Sequence, residues 1–121
     1  LYTIGYQKIT LAQLLDILHG YGVDTLVDVR SRPHSRKPGF DKKTLETRLQ
    51  ESGVTYCWAG DRLGGFARIE EASISALAEF AENRTVCLMC MEADPEQCHR
   101  KIEISGRLAA YGVTAHHLVV H

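Results

Sequence analysis

The sequence contains no long apolar run and no excess of charge of one sign. No part of its 121 residues approaches the ~18 continuous apolar residues of a membrane-spanning helix. No charged start followed by an apolar core resembles a signal peptide. The formal net charge is -1, so the chain as a whole has no electrostatic attraction to nucleic acids or membranes. We therefore expect a cytoplasmic protein without a membrane partner, in which any preference for anions arises from local clusters of charge.

The sequence also lacks a disulfide framework and a compact metal-binding motif. Its four cysteines are not spaced as in small disulfide-rich proteins. Cys87 and Cys90 form a C-x-x-C pair, but residues three apart in a strand point to opposite faces, so the two thiols cannot act together. An alternative zinc site would use Cys57, Cys90, Cys98 and His99. Because that set lacks the paired close ligands of strong zinc motifs, we predict no metal site, and the sequence identifies no cofactor.

Two common phosphate-binding motifs are absent as well. Gly64 and Gly65 form an isolated pair rather than the Gly-rich loop of a dinucleotide site. Cys90 and Arg100 are too far apart for the short phosphate cradle of thiol-dependent phosphatases, and the acidic residues between them would repel a phosphate group. The sequence therefore disfavours a dinucleotide-binding enzyme and a thiol-dependent phosphatase.

Short apolar segments of β-branched and aromatic residues alternate with segments of helical period. This pattern predicts repeated βα units and a parallel sheet. The predicted strands span residues 2–6, 23–29, 54–58, 85–91 and 113–120. About four helices lie between them: Thr10 and Gln13 form a capping box for the first, Asp41 caps the second, and Asp94 begins the fourth. We expect one α/β domain over residues 1–121, a Rossmann-like three-layer fold with a mainly parallel five-stranded sheet.

In a parallel sheet the carboxyl ends of all strands lie at one edge, where open α/β folds bind their ligands. Polar and glycine residues follow four of the predicted strands. They are Gly5 and Tyr6, then Asp28, Arg30 and Arg32, then Cys57, Gly64 and Gly65, and finally Cys90 and Glu92. The sequence therefore predicts that four separate segments converge on one crevice.

The end of the second predicted strand carries a carboxylate and two guanidinium groups in alternation. Asp28, Arg30 and Arg32 would share a face if the strand persisted that far. Arginine forks suit phosphate or carboxylate, and Asp28 would orient one of them. In the alternative interpretation, Asp28 pairs structurally with an arginine and the rest is a solvated loop.

The segment of residues 90–100 combines thiols, carboxylates, an imidazole and a guanidinium. Cys90 is a candidate nucleophile, with Glu92 or His99 as its base. Cys98 lies near the start of the predicted fourth helix, where the helix dipole favours a thiolate. However, Cys98, Ile102, Ser105 and Ala109 follow a helical period. Cys98 would then belong only to the core-facing side of that helix.

Five motifs occur in order along the chain. They are Thr3-Ile-Gly-Tyr6, Leu26-Val-Asp-Val-Arg30, Ser35-Arg-Lys-Pro-Gly-Phe40, Leu63-Gly-Gly65, and Leu88-Met-Cys-Met-Glu92 followed by Asp94-Pro95 and Cys98-His-Arg100. Together they resemble the family called domain of unknown function 488, over residues 2–118. The resemblance implies a small cytoplasmic α/β protein and no particular reaction. The signature of that family falls on Gly5, Asp28, Arg30, Ser35, Arg36, Leu63, Gly64, Cys90, Glu92, Cys98, His99 and Arg100, which coincides with the predicted crevice.

The sequence supports the hypothesis of an enzyme that acts on an anionic substrate, such as a nucleotide, another phosphate-bearing molecule or a nucleic-acid end. The predicted catalytic residues are Cys90, Glu92, His99 and Asp28. The predicted substrate-binding residues are Gly5, Tyr6, Arg30, Arg32, Ser35, Arg36, Gly64, Gly65, Cys98 and Arg100. One alternative is a non-catalytic module that binds nucleic acid or a nucleotide. A second alternative is a metal- or redox-sensing thiol protein.

Overall fold

The five strands in the described part of the chain lie in one parallel sheet. The computed structural model describes residues 1–65 and 68–120, and for residues 99–101 the backbone alone. The strands are β1 (Tyr2–Gly5), β2 (Thr25–Asp28), β3 (Thr55–Trp58), β4 (Val86–Cys90) and β5 (His116–Leu118). Their order across the sheet is β3-β2-β4-β1-β5, with β4 between β1 and β2 and every pair parallel. The predicted five-stranded parallel sheet is confirmed, although β5 is shorter than the predicted strand.

Five α-helices connect and flank the strands. They are α1 (Leu11–Gly20), α2 (Lys42–Glu51), α3 (Gly60–Leu63), α4 (Glu71–Ala81) and α5 (His99–Leu108). The capping box of α1 is formed as predicted: the Gln13 N–H donates to the Thr10 hydroxyl at 3.1 Å, and the Thr10 N–H donates to the Gln13 side chain at 2.8 Å. Asp41 does precede α2, but its side chain makes no cap hydrogen bond. The sequence did not predict α3, because a single helical turn has no period to detect.

The helices cover both faces of the sheet and create two apolar cores. One core joins α1 and α2 to the sheet through Leu14, Leu18, Leu45, Leu49, Ile4, Leu26 and Met89. The other joins α4 and α5 to the opposite face through Ile74, Leu77, Ile104, Leu108, Val27 and Leu88. Cys87 lies in the first core and Cys90 in the second, as the strand period predicted. The three-layer α/β architecture is therefore confirmed.

The segment between β4 and α5 differs from the predicted continuous helix. Asp94 accepts a hydrogen bond from the Glu96 N–H at 2.9 Å and caps a short 3₁₀ turn, Pro95–Gln97, after which α5 begins anew at His99. The predicted core face of this helix was wrong, since Ile102 is 45% exposed whereas Ile104 is fully buried. Cys98 is buried, but it lies before α5 and therefore outside its register. The break lets this segment fold back over the edge of the sheet.

No helix in the described part of the chain has the length and apolarity to cross a membrane.

Candidate functional site

A cleft of about 580 Å³ lies at the carboxyl edge of β1, β2 and β4. The sequence-predicted residues that line it are Tyr6, Arg30, Arg32, Gly65, Cys90, Glu92 and Cys98. Ser31, which the sequence places beside Arg30 and Arg32 at the end of the second strand, lines it as well. So do His34, Met91 and Gln97, which the sequence did not single out. The parallel sheet therefore brings four separate segments to one crevice.

A buried ion pair forms the floor of this cleft beside β2. Asp28 is 0% exposed and Arg30 is 8% exposed. The Arg30 Nε and Nη2 atoms donate to the two carboxylate oxygens of Asp28 at 2.9 and 2.8 Å, and the Arg30 N–H donates to Asp28 Oδ1 at 3.0 Å. The remaining guanidinium nitrogen, Nη1, donates to the Phe40 carbonyl at 2.7 Å. Arg30 is thus held by the protein itself, as the alternative interpretation of this motif predicted.

Aromatic side chains enclose the ion pair. The Tyr6 ring stacks on Phe40 with ring centres 4.6 Å apart, and the Arg30 guanidinium lies 5.2 Å from the centre of the Tyr6 ring. The Tyr56 hydroxyl donates to Asp28 Oδ2 at 2.6 Å. Burial alone would lower the pKa of Arg30, but the hydrogen bonds and charge of Asp28 outweigh it and raise that pKa. Arg30 therefore stays charged, and Asp28 is fully hydrogen-bonded.

The Tyr56–Asp28 hydrogen bond predicts a stability difference that depends on pH. Burial, followed by the hydrogen bond and charge of Asp28, raises the pKa of Tyr56. The folded protein then keeps the hydroxyl protonated, whereas the unfolded chain loses that proton above about pH 10. We expect Tyr56→Phe to cost about 1.5–3 kcal/mol of unfolding free energy near pH 8. The difference in unfolding free energy between wild type and Tyr56→Phe should shrink as the pH rises above about 10. At such pH the unfolded wild-type chain is stabilised by releasing the tyrosine proton, whereas the folded protein keeps it.

Urea unfolding at about pH 8 and pH 11.5 measures this difference directly. Comparison at the same pH cancels the titration of the lysines, which both proteins share. Tyr21→Phe is the matched control, since Tyr21 is 51% exposed and should change stability little at either pH. A gap between wild type and Tyr56→Phe that stayed constant across both pH values would contradict the prediction.

The loop after β2 places some of its cations at the cleft and uses others for structure. Arg32 is exposed and lines the cleft, together with His34, whose ring lies 3.4 Å from Asp41. Lys37 Nζ donates to the carbonyls of Tyr6 at 2.9 Å and of Gln7 at 2.8 Å, and so ties the loop to the end of β1. Arg32 is therefore the exposed arginine that this loop contributes to the cleft.

Two predicted substrate-binding residues of the same loop lie away from the cleft lining. The Ser35 hydroxyl accepts a hydrogen bond from the Lys37 N–H at 3.1 Å, and the Ser35 N–H donates to Asp41 at 3.3 Å. Arg36 is exposed. Asp41 thus organises the loop instead of capping α2, because its carboxylate is engaged by Ser35 and His34. The binding roles of Ser35 and Arg36 stay predictions.

Two thiols and a carboxylate gather on the β4 side of the cleft. One ligand-type atom from each of Cys90, Glu92 and Cys98 lies within 4.8 Å of the other two. Each of the two cysteines is only 6% exposed, and Glu92 is partly buried. The Cys90 thiol donates to the Glu92 carbonyl at 3.8 Å. The loop that links β4 to α5 thus folds three reactive side chains into one cluster.

Cys57 does not belong to this cluster. It lines a separate, largely apolar cavity of about 190 Å³ with Val27, Leu77 and Phe80. Burial raises the pKa of the Cys57 thiol. The zinc set considered from the sequence is therefore not assembled among the described side chains. The side chains of His99 and Arg100, a predicted catalytic and a predicted binding residue, lie outside the described part of the structure.

Glycine residues allow the backbone segments of the site to approach closely. A Cβ atom on Gly5 would lie 1.6 Å from the Glu92 carbonyl oxygen, and one on Gly64 would lie 2.2 Å from the Ser31 hydroxyl. Gly5 and Gly64 therefore allow close packing of the segments next to the cleft without lining it, whereas Gly65 lines it. The Trp58 indole N–H donates to the Arg30 carbonyl at 2.8 Å and holds the neighbouring loop.

Some supporting residues had no recognisable signal in the sequence. Phe40 ends one of the five motifs and Tyr56 lies in the third predicted strand, but neither was a candidate site residue. Their contacts with Arg30 and Asp28 arise only when distant segments meet. His34 was visible as part of the basic loop, but nothing in its spacing pointed to the cleft. Such residues can be found only from the packing.

The chain was compared with known proteins. The family model described as Domain of unknown function DUF488 matches it in two overlapping segments, residues 10–73 and 66–104. No curated protein and no solved structure matched the chain. The matched segments include β2, the loop after it, β4 and the Cys90–Glu92–Cys98 cluster, and together they cover the greater part of the sequence. The chain therefore belongs to the family described as domain of unknown function DUF488, as the resemblance in its sequence predicted.

Proposed function

We propose that the protein is an enzyme that acts on an anionic, phosphate-bearing substrate in the cleft at the carboxyl edge of the sheet. The observation that carries this proposal is the composition of one cleft, which Arg32 and His34 line together with the cluster of Cys90, Glu92 and Cys98. Cationic groups bind an anion, and thiols and carboxylates supply nucleophiles and acid-base groups. Substrates of this class include nucleotides and nucleic-acid ends. The proposal keeps the cytoplasmic location that the sequence predicts.

The exposure of Arg32 and the hydrogen bonds of Arg30 assign different roles to the two arginines. Arg32 supplies the exposed guanidinium for the anion. Arg30 shapes the floor, since Asp28 and the Phe40 carbonyl engage its nitrogens. Glu92 is the proposed acid-base group and Cys90 the proposed nucleophile. Asp28 then acts by holding Arg30 rather than by touching the substrate.

The rival function is a binding module without catalysis. The near-complete burial of both thiols favours it, because a buried cysteine is more often a packing residue than a nucleophile. Under this alternative the same arginine would bind the same anion, and no turnover would follow. The two functions therefore differ in turnover and agree in binding.

Binding is tested by a thermal-shift screen against nucleoside mono-, di- and triphosphates, sugar phosphates and short oligonucleotides. We expect at least one compound to raise the melting temperature of the wild-type protein. Arg32→Ala should weaken that compound's affinity by roughly 10–100-fold, the range for losing a charge-assisted hydrogen bond. Arg36→Ala is the matched control, because it removes an exposed arginine of the same loop that does not line the cleft. Arg30→Ala is unsuitable for this purpose, since it would break the buried ion pair.

Turnover of the compound found in this screen then separates the two functions. Cys90→Ser and Glu92→Gln should each lower the rate by roughly 10²-fold or more while binding persists. Wild-type binding without turnover would establish the binding module instead. A panel without any stabilising compound, or equal losses of affinity in Arg32→Ala and Arg36→Ala, would overturn the proposed anion site.

A further inference from the structure

We propose that Cys90, Glu92 and Cys98 supply three ligands of a binding site for one divalent transition-metal ion of the Zn²⁺ type, at the edge of the cleft. The binding itself does not depend on the function proposed above. Only the use of the bound ion to activate water or polarise a phosphoryl group rests on it. In that case Cys90 and Glu92 act as ligands of the ion, in place of the nucleophile and acid-base roles proposed above. The zinc set considered from the sequence shared Cys90 and Cys98 with this site but combined them with Cys57 and His99 instead of Glu92.

The donor atoms suit the metal in kind and in position. Cysteine thiolates and a carboxylate are common zinc ligands, with Zn–S distances of about 2.3 Å and Zn–O distances of about 2.0–2.2 Å. Around a tetrahedral ion of that size, neighbouring sulfur ligands lie about 3.7 Å apart. The three donor atoms already lie within 4.8 Å of one another. Neighbouring donor atoms therefore need to approach one another by at most about 1 Å to surround one ion.

The fold holds two of the ligands from opposite sides of the connecting loop. Cys90 is the last residue of β4 and pairs with Gly5 of β1, so its position belongs to the sheet. The backbone of Cys98 is fixed by its N–H, which donates to the Pro95 carbonyl at 3.3 Å, and by its carbonyl, which accepts from Ile102 at 3.1 Å. Glu92 lies two residues after Cys90 and supplies the third ligand.

Three protein ligands with an accessible fourth position are characteristic of catalytic rather than structural zinc sites. All three side chains line the cleft of about 580 Å³, which is also lined by Arg32 and His34. A metal ion here would present its fourth position to an anion bound by those cations. The two thiols bind as thiolates, so each proton passes to the buffer when the metal enters.

The cluster is not explained by core packing alone. Buried free cysteines commonly pack as small apolar groups. A core packing role gives no reason for a carboxylate to lie within 4.8 Å of both sulfur atoms. A divalent cation between the three groups gives that reason, because the carboxylate and both sulfur atoms would coordinate it once the thiols had released their protons.

Direct titration of the metal-free protein with Co²⁺, under argon and with a phosphine reductant, tests the site without any substrate. We expect one cobalt ion per chain, thiolate-to-cobalt charge-transfer absorption in the near ultraviolet and the visible bands of tetrahedral cobalt. Added Zn²⁺ should displace the cobalt and abolish both. Cys90→Ser and Cys98→Ser should each lower the affinity more than ~100-fold and remove most of the charge-transfer band, since ligand loss exceeds the 10–100-fold effect of outer-shell partners.

Two further variants assign the ligands. Glu92→Gln should keep the sulfur band, shift the visible bands and lower the affinity at least tenfold. Cys57→Ser is the matched control, because it removes a cysteine from the separate apolar cavity and should bind cobalt as wild type does. Circular dichroism of each variant shows whether it is folded, and the wild-type titration tests the site even if a variant is not.

The proposal is overturned if the folded, fully reduced wild-type protein shows no thiolate-to-cobalt band. It is also overturned if Cys57→Ser loses as much affinity as Cys98→Ser. An unchanged Glu92→Gln spectrum and affinity would overturn the three-ligand site. Failure of cobalt binding would leave the anion screen and its Arg32→Ala response intact, so the two proposals fail separately.

Discussion

Arg30→Ala is expected to reduce the free energy of unfolding by about 3–5 kcal/mol, the typical cost of breaking a buried ion pair by removing one partner. The loss is large because Asp28 would keep its charge at a position with no solvent exposure. Only the Tyr56 hydroxyl, at 2.6 Å, would remain to compensate it with a side-chain hydrogen bond. The Phe40 carbonyl would lose its donor as well. Since small domains are stabilised by only about 5–15 kcal/mol in total, this variant should be close to unfolding.

Urea unfolding followed by circular dichroism measures this loss, with Arg36→Ala as the control of the same residue type. Arg36 is exposed in the same loop, so its variant should stay within about 0.5 kcal/mol of wild type. Asp28→Asn should cost nearly as much as Arg30→Ala, because it leaves the guanidinium unpaired. The double variant Asp28→Asn/Arg30→Ala should lose clearly less than the sum of the single losses, since it leaves no buried charge without a partner.

A small loss in Arg30→Ala, below about 1 kcal/mol, would mean that solvent or another cation replaces the guanidinium. The floor of the cleft would then be adaptable, and Arg30 would regain its place as a candidate for binding the anion. Strictly additive losses in the double variant would contradict the pairing itself. Each of these outcomes changes the assignment of Arg30 and leaves that of Arg32 unaffected.

The sheet could be predicted from the sequence because its three central strands, β2, β4 and β1, are buried on both faces almost throughout. Residues 86–90 of β4 are all buried, and a short continuous apolar run of this kind is visible in any sequence. The strand order could not be predicted, because the position of β4 between β1 and β2 depends on contacts between segments far apart in the chain. Parallel pairing alone was enough to bring the strand ends together, and it therefore predicted the location of the cleft.

The chemistry within the cleft was predicted less well, for reasons of packing. The period of two correctly placed Asp28 and Arg30 together, but only the arrival of Phe40 and Tyr56 from other segments makes their pair a buried and self-contained unit. For Cys98, the helical period was applied across a break at residue 98 that a 3₁₀ turn creates. Short irregular turns carry no periodic signal, so the sequence singled out Cys90, Glu92 and Cys98 as site residues, but only the structure shows that their ligand-type atoms lie within 4.8 Å of one another.

Gly5→Ala is expected to cost about 3 kcal/mol or more, at the upper end of the range for overpacked positions. An alanine Cβ would lie 1.6 Å from the Glu92 carbonyl oxygen and 2.3 Å from its carbonyl carbon. Both atoms belong to the backbone, so no side-chain rotation relieves the overlap. The neighbouring segments are also joined by hydrogen bonds from the Tyr6 N–H to the Cys90 carbonyl at 3.1 Å and from the Gln7 N–H to the Met91 carbonyl at 2.9 Å. Relief therefore requires the end of β4 to move away from β1.

That movement links stability to the site, because it displaces Glu92 and Cys90 together. We expect Gly5→Ala to lower the melting temperature and, at a temperature where the variant is still folded, to lower cobalt affinity at least tenfold if the metal site exists. Gly106→Ala is the matched control: no atom lies within 4 Å of the added Cβ, and alanine within α5 should raise stability by about 0.5–1 kcal/mol. A Gly5→Ala protein as stable as wild type would show that the end of β4 shifts at little cost. In that case the close packing of Gly5 against Glu92 would not position the cluster, and the loop alone would have to hold it.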